Sequence, residues 1–328
     1  MNRRCSQPSC NTPEVSCTLG ELDFERCEHW RSSSAVSESA GADDGQEEEG
    51  TRLPWTGNAF GATDVMFVAG RSSARLVAVL GAESAGKTSL LAAWYLLIHR
   101  GHRPGHLAFA GSYTLEGWEN IAASLRWSTP KGPAFPAHTS SGTGRHPGLM
   151  HLAMKKSDGT RLDLLFADAP GEWFTRWAVN RNAPDAKGAQ WLSETADVLV
   201  VVADSDALSG PERGGARSRL LELIHRVGAE RQGRSTALVW SKSDKEVSSS
   251  IVSAVRAAAD DSLGQHEEFH VSLHSGNANA PDQQRNVGQG LLELFAWVAS
   301  VQGQPYRFAQ PREPDSADPI MMYGRSYA

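Results

Sequence analysis

The sequence predicts an α/β fold in which a mostly parallel, doubly wound sheet contains one antiparallel strand. Between residues 70 and 302, short apolar runs alternate with stretches that have the period of an amphipathic helix. In five of the six apolar runs the apolar residues follow one another instead of alternating with polar ones, which indicates strands buried on both faces. Strand followed by helix, repeated along the chain, favours right-handed crossovers with helices on both sides of the sheet.

The predicted elements follow from these runs in chain order. The candidate strands are residues 75–81, 148–156, 161–168, 197–204, 235–244 and 268–275, and the candidate helices are residues 87–100, 116–125, 186–195, 216–230, 248–263 and 288–301. An Asp158-Gly159 step separates the second and third strands and is typical of a hairpin, so this pair is expected to be antiparallel. Ligands of such sheets bind at the carboxyl ends of strands, where functional residues are therefore expected.

Composition and charge narrow the class of protein. The chain has 328 residues, of which 40% are hydrophobic and 21% charged, and this excludes a collagen, a coiled coil and a wholly disordered chain. The net charge of −6 gives no general attraction for a nucleic-acid backbone, so nucleic acid is not an expected partner. No apolar run approaches the roughly 20 residues that span a bilayer, so a cytoplasmic protein without a membrane partner is expected.

The domain organisation is predicted from shifts in composition. Cysteines are confined to residues 1–30, which are predicted to be a small separate module, and residues 31–58 have the Ser-, Gly- and acid-rich composition of a flexible linker. The main domain is expected at residues 59–303, followed by a proline-containing tail at residues 304–328.

Residues 81–88 match the phosphate-binding loop of P-loop NTPases. The segment reads GAESAGKT and stands directly after a candidate strand and before a candidate helix, as this motif requires. Its backbone N–H groups would surround a phosphate at a helix N-terminus, Lys87 would bind the β- and γ-phosphates, and Thr88 would ligate Mg²⁺. A glycine-rich turn with a solvent-facing lysine is the alternative. The nucleotide-binding residues predicted in this loop are Gly81, Glu83, Ser84, Ala85, Gly86, Lys87, Thr88 and Ser89.

The motif Asp168-Ala169-Pro170-Gly171 ends another candidate strand. A carboxylate at Asp168 would lie near the magnesium of the phosphate loop and hold a metal-bound water, and the Gly171 amide would contact the γ-phosphate. The alternative is an ordinary turn, since the same spacing of Asp and Gly occurs in turns.

Ser241-Lys242-Ser243-Asp244 ends a third candidate strand. The carboxylate of Asp244 can accept two hydrogen bonds from guanine, while the stem of Lys242 packs over the base. Adenine offers no matching pair of donors, so this motif selects GTP over ATP. A charged loop at a strand end is the alternative.

These three motifs, in this order, resemble the translation-factor-type GTPases of the Ras-like (TRAFAC) superfamily over about residues 70–302. The stretches SYTLEGWENIAASL, FPAHTSSGTGRHPGLMHLAMK and LLFADAPGEWFTRWA resemble, more narrowly, bacterial GTPases of the double-GTPase group, which occur in multi-gene conflict or defence systems. The resemblance implies a Mg²⁺-dependent switch that binds and slowly hydrolyses GTP as a regulatory subunit of such a system. A nucleotide-dependent scaffold with little hydrolysis and an ATP-using P-loop NTPase are the alternatives.

The resemblance also implies further site residues, and at one position this sequence departs from the pattern of the superfamily. A threonine after the phosphate loop would complete the magnesium shell, and Thr139 is the candidate; the alternatives are Thr143 in that role and an ordinary loop threonine at residue 139. Glu172 stands where related enzymes carry a glutamine that orients the attacking water; it would orient water, act as a base, or be structural. Ser272 lies where the superfamily contacts guanine through its backbone, whereas Ser241 replaces the usual Asn or Thr.

Aromatic and basic side chains follow Glu172. Trp173, Phe174 and Trp177 are expected in the core, with a surface exposed in one nucleotide state as the alternative. Arg145, Arg176 and Arg181 are candidate internal arginine fingers, although a solvated charge is the favoured interpretation of each.

The cysteines Cys5, Cys10, Cys17 and Cys27 supply four thiolates for one tetrahedral Zn²⁺, with His29 as a possible substitute ligand. Disulfides are not expected in a cytoplasmic chain, and a segment this short would need metal coordination to fold. Unpaired thiols or a redox pair are the alternatives. Four protein ligands leave no open position on the metal, so the module would dock a protein effector or activator rather than catalyse a reaction.

Overall fold

A computed structural model describes residues 57–61, 64, 65, 68, 74–126, 148–273 and 289–302. All of them belong to one compact unit, Leu53–Ala328. The predicted cysteine-rich module, most of the predicted linker and the predicted tail lie outside the described residues. The three boundaries between the four predicted segments therefore stay predictions.

One sheet organises the described residues. Its strands are β1 Ala74–Leu80, β2 Ala108–Gly111, β3 Gly148–Lys155, β4 Arg161–Asp168, β5 Val198–Asp204, β6 Ser235–Ser241 and β7 Glu267–His270. These seven strands lie in the order β2-β3-β4-β1-β5-β6-β7. β3 is antiparallel to both of its neighbours, and the other pairings are parallel. The predicted hairpin of β3 and β4 is confirmed, with Gly148 opposite Asp168 and Lys155 opposite Arg161.

Helices cover both faces of this sheet. They are α1 Lys87–His99, α2 Leu115–Ala123, α3 Gly171–Val179, α4 Lys187–Thr195, α5 Ser205–Ser209, α6 Arg213–Glu230, α7 Ser249–Leu263 and α8 Gln289–Ser300. On one face α1, α2 and α8 pack into a core that includes Val77 and Val79. On the other face α3, α4, α6 and α7 pack into a second core that includes Ala78 and Leu80. Because successive side chains of β1 enter opposite cores, the doubly wound prediction is confirmed.

Three of these strands and α-helices were not predicted from the sequence, and two predicted strands end early. The unpredicted elements are β2, α3 and α5. The strand predicted at residues 235–244 ends at Ser241, because Lys242 has a φ of 50°, which is incompatible with an extended strand. The strand predicted at residues 268–275 ends at His270.

Candidate nucleotide-binding site

The phosphate loop connects the buried end of β1 to the start of α1. Gly86 precedes α1 with a φ of 85°, a left-handed conformation that glycine adopts without steric cost. No side-chain hydrogen bond caps α1 within the described residues, and its first turn contains no acidic residue. The first N–H groups of a helix have no intrahelical acceptor. This end of α1 therefore presents donors and a positive dipole to an anion.

Lys87 is buried inside the loop, which contradicts the alternative of a solvent-facing lysine. Its side chain is 8% exposed, and Nζ donates hydrogen bonds to the carbonyl oxygens of Gly81 at 3.1 Å and Ala82 at 2.8 Å. Nζ also lies 6.0 Å from the centre of the Phe174 ring. Burial lowers the pKa of Lys87 to about 8, an effect that the nearby carboxylate of Asp168 partly offsets. An anionic ligand would compensate for the unfavourable burial of this ammonium group.

Thr88 and Asp168 come together from separate elements. The hydroxyl of Thr88, in the first turn of α1, donates to Oδ1 of Asp168, at the end of β4, at 3.0 Å. A hydroxyl and a carboxylate are oxygen donors of the kind that Mg²⁺ prefers. The chemistry of the two side chains therefore fits a magnesium ion.

Gly171 brings α3 against the phosphate loop. A Cβ atom on this residue would lie 2.2 Å from the Glu83 nitrogen and 2.4 Å from the Ala82 carbonyl carbon. Both distances are shorter than van der Waals contact and would be steric overlaps. Only a glycine therefore allows the two backbones to approach this closely. Glu172, the next residue, is half-buried in the first turn of α3.

Ser241 and Ser272 organise the predicted base-binding motif. The buried Ser241 hydroxyl approaches the Ala85 carbonyl at 2.8 Å and the Ala203 carbonyl at 3.3 Å, so it links the end of β6 to the phosphate loop and to β5. Ser272 donates its hydroxyl to Oδ1 of Asp244 at 2.6 Å. The sequence indicated a backbone role for Ser272, whereas the structure gives its side chain a contact with the predicted base-binding carboxylate.

Lys242 forms an ion pair that the sequence did not reveal. Its Nζ lies 2.8 Å from Oδ2 of Asp204, the last residue of β5, and 3.8 Å from Oδ2 of Asp206. Asp204 stands opposite Ser241 in the parallel pairing of β5 with β6. The sequence offered one indication of this contact: one apolar run ends in the acid Asp204, and the next apolar run ends in the motif that contains Lys242. Recognising the contact, however, requires the register between the two strands.

Most of the predicted site residues border one cleft with a volume of about 480 Å³, whereas its lining does not include Gly81, Ala85, Asp168 or Glu172. Small-molecule sites usually occupy about 300–1,000 Å³. The predicted site residues that line it are Glu83, Ser84, Gly86, Lys87, Thr88, Ser89, Gly171, Ser241, Lys242, Asp244 and Ser272. The three motifs, separated in the sequence, thus meet at the carboxyl edge of the sheet.

Several predicted residues lie elsewhere or outside the described residues. Trp173, Phe174 and Trp177 are buried, at 7%, 0% and 0% exposure, in agreement with the core interpretation. Arg176 forms an ion pair with Asp185, and Arg181 forms one with Glu230 at 2.9 Å, so both arginines are paired in this conformation. The residues that fall outside the described part of the chain are Thr139, Thr143, Arg145, Cys5, Cys10, Cys17, Cys27 and His29.

The described residues contain neither a cluster of metal-ligating side chains nor a membrane-spanning helix. No group of three or more His, Cys, Asp and Glu side chains in the described ranges is arranged to hold a metal ion. None of the helices described is long and apolar enough to cross a membrane. The zinc prediction is untouched by the first result, because its cysteines are outside those ranges.

This chain resembles a known protein family and solved structures. The model of a family described as Double-GTPase 2 matches residues 75–298, more than half of the chain. No curated protein matches the chain. A crystal structure of Era in complex with MgGDPNP and nucleotides 1506–1542 of 16S ribosomal RNA resembles it with a TM-score of 0.33 and 12% identity, over 74% of this chain and 61% of that one. The chain thus spans less than two thirds of the Era chain.

Proposed function

Because the chain belongs to the Double-GTPase 2 family, we propose that it is a Mg²⁺-dependent molecular switch that binds GTP in this cleft and hydrolyses it to GDP and phosphate. The observation that carries the proposal is the convergence of three motifs on one cleft: a buried lysine in a phosphate loop, a hydroxyl bonded to a carboxylate at the predicted magnesium-binding positions, and a serine-bonded carboxylate at the predicted base-binding position.

The triphosphate is held by the first half of the site. N–H groups at the start of α1 and the ammonium group of Lys87 would bind the β- and γ-phosphates, and the Gly171 amide would lie beside the γ-phosphate. Thr88 and Asp168 would hold Mg²⁺, together with Thr139 in the GTP-bound state. When bound, the metal neutralises phosphate charge.

Hydrolysis requires a water molecule in line with the leaving GDP. Water attacks the γ-phosphorus, the bond to the β–γ bridging oxygen breaks, and the proton of the water passes to the released phosphate. Glu172 directly follows Gly171 and would orient that water. Because Arg176 and Arg181 are held in ion pairs, neither is assigned to the transition state, and hydrolysis without a partner is expected to be slow.

Guanine is selected by the second half of the site. Ser272 fixes the orientation of the Asp244 carboxylate, which accepts hydrogen bonds from the base. Ser241 links the same segment to the phosphate loop through the Ala85 carbonyl, so the base and phosphate halves are mechanically joined. An ATP-using NTPase is disfavoured, since adenine has no pair of donors for Asp244.

The wider role follows the family resemblance. We assign the chain to a bacterial multi-protein system of the conflict or defence type, in which it is a cytoplasmic regulatory subunit. A protein effector or activator would bind the switch region and a zinc module built from Cys5, Cys10, Cys17 and Cys27. The net charge of −6 disfavours nucleic acid as that partner.

Phosphate release from GTP by the purified full-length chain tests the proposal. The matched control is Thr88→Ala, which removes one magnesium-binding hydroxyl. Release above that control with Mg²⁺, and little competition by ATP, is expected. Tight GTP binding without release above the control would replace the enzyme with a nucleotide-dependent scaffold. A wild-type chain that fails to bind GTP would overturn both.

A further inference from the structure

Asp204 lies next to the base-binding motif but belongs to none of the three sequence motifs. Its side chain is 11% exposed, and Oδ2 accepts the hydrogen bond from Nζ of Lys242 at 2.8 Å. Oδ1 accepts from the backbone nitrogens of Asp206 at 3.0 Å and Ala207 at 3.3 Å, which caps α5. A single carboxylate therefore joins a helix N-terminus to the lysine of the cleft.

This arrangement restricts a side chain that would otherwise be mobile. The lysine side chain is a flexible four-carbon stem that ends in an ammonium group, which is a strongly hydrated point charge. Lys242 is 33% exposed, so water competes for it, yet Asp204 cannot follow the lysine outward because two backbone N–H groups hold the carboxylate. The ammonium is thus fixed at a defined point, and Lys242 is one of the residues that line the cleft.

The strand register sets where that point lies. Asp204 is paired with Ser241, the residue before Lys242, and Ser241 contacts the phosphate loop. Lys242 also has a φ of 50°, so the backbone leaves the extended conformation of the strand at this residue. Asp204 is consequently the nearest acid on the neighbouring strand end, whereas Asp206 lies farther from Nζ, at 3.8 Å, and is 57% exposed.

We propose that Asp204 is a positioning residue for the nucleotide base: it holds the Lys242 stem where its methylene groups cover one face of guanine. The inference rests on the proposed function, because it assumes a guanine nucleotide in the cleft. It assigns no contact between Asp204 and the nucleotide. A purely structural Asp204, serving only as the cap of α5, is the competing explanation.

Asp204→Asn separates the two roles. Asparagine caps helices about as well as aspartate, so α5 keeps its cap, while the charge that holds Lys242 is lost. The probes are Mg²⁺·GDP and Mg²⁺·tripolyphosphate, which carry a phosphate chain with and without a base. We expect about a tenfold loss of affinity for GDP, as for a charge-assisted hydrogen bond that is partly exposed to solvent. Affinity for tripolyphosphate should stay within about twofold of wild type.

Two further variants complete the test. With Lys242→Ala as background, adding Asp204→Asn should change GDP affinity by less than about twofold, because the two residues act as one unit. Asp197→Asn removes a half-buried carboxylate before the start of β5, where Oδ2 accepts from the Leu76 nitrogen at 2.8 Å. Any change in affinity caused by Asp197→Asn should be the same for GDP and for tripolyphosphate.

Each result decides the proposal. Equal losses for GDP and tripolyphosphate in Asp204→Asn would show a structural role and overturn it, as would unchanged GDP affinity or an additive loss in the Lys242→Ala background. Failure of the proposed function looks different: the wild-type chain itself would then bind neither GTP nor GDP.

Discussion

Replacing Gly171 with alanine probes the contact between α3 and the phosphate loop. The new Cβ would lie 2.2 Å from the Glu83 nitrogen and 2.4 Å from the Ala82 carbonyl carbon. The backbones must separate by roughly 1 Å to restore ordinary contact at about 3.5 Å. Because the opposing atoms are backbone, no rotamer change relieves the overlap. Overpacking of this kind costs about 1–3 kcal/mol of unfolding free energy.

Gly214→Ala is the matched control. Gly214 lies near the start of α6, and a Cβ there meets no atom within 4 Å. Helix propensity alone predicts that alanine stabilises either position, by about 0.5–1 kcal/mol. The close contact therefore makes Gly171→Ala destabilising. Gly214→Ala has no such contact and should keep the stabilising effect of helix propensity.

Thermal unfolding of the nucleotide-free variants measures this difference. A change of 1 kcal/mol shifts the melting temperature of a domain of this size by about 2–4 °C. Gly171→Ala should therefore melt several degrees below wild type, and Gly214→Ala at or above it. If Gly171→Ala were as stable as Gly214→Ala, the approach of α3 to the phosphate loop would be wrong.

Three further perturbations follow from particular contacts. Nucleotide should favour the charged form of Lys87, whose pKa is lowered to about 8 without ligand. GTP affinity should then fall by up to about tenfold per pH unit above pH 8, and GTP binding should be accompanied by proton uptake. If the binding enthalpy measured by calorimetry at pH 9 were the same in buffers of different ionisation enthalpy, this prediction would be wrong. Ser241→Ala leaves two buried carbonyls without its hydroxyl and should cost about 1–3 kcal/mol in urea unfolding, with Ser241→Thr closer to wild type. Arg75→Met removes donors to the Val298 and Ala299 carbonyls at the end of α8 and should cost a similar amount, whereas Arg217→Met, on the exposed face of α6, should cost less than about 0.5 kcal/mol.

The sequence predicted the parts of the site that depend on neighbouring residues. The phosphate loop is contiguous, and its strand and helix flank it directly, so residues 81–88 were identified with their structural context. The hairpin between β3 and β4 was equally local, since an Asp-Gly step marks it. α3 was not predicted, although the sequence contains a signal for it: residues 173, 174, 177 and 178 have helical spacing, and all of them are buried.

The contacts that were missed depend on long-range register. Asp204 reaches Lys242 only because β5 and β6 pair with Asp204 beside Ser241. The approach of Gly171 to Ala82 likewise joins two loops that are far apart in the chain. β2 has four residues at the edge of the sheet, too few to form a recognisable apolar run.

The position of α3 decides how its aromatic residues can act. At one end Gly171 lies on the phosphate loop, and a Cβ on Gly188 of α4 would be 2.1 Å from Cζ3 of Trp173. Exposing Trp173, Phe174 and Trp177 in another state would cost at least about 1.5–3 kcal/mol for each side chain, which makes them poor candidates for a surface that appears and disappears. Because interiors are close-packed, a displacement of Gly171 must instead move α3 against α4.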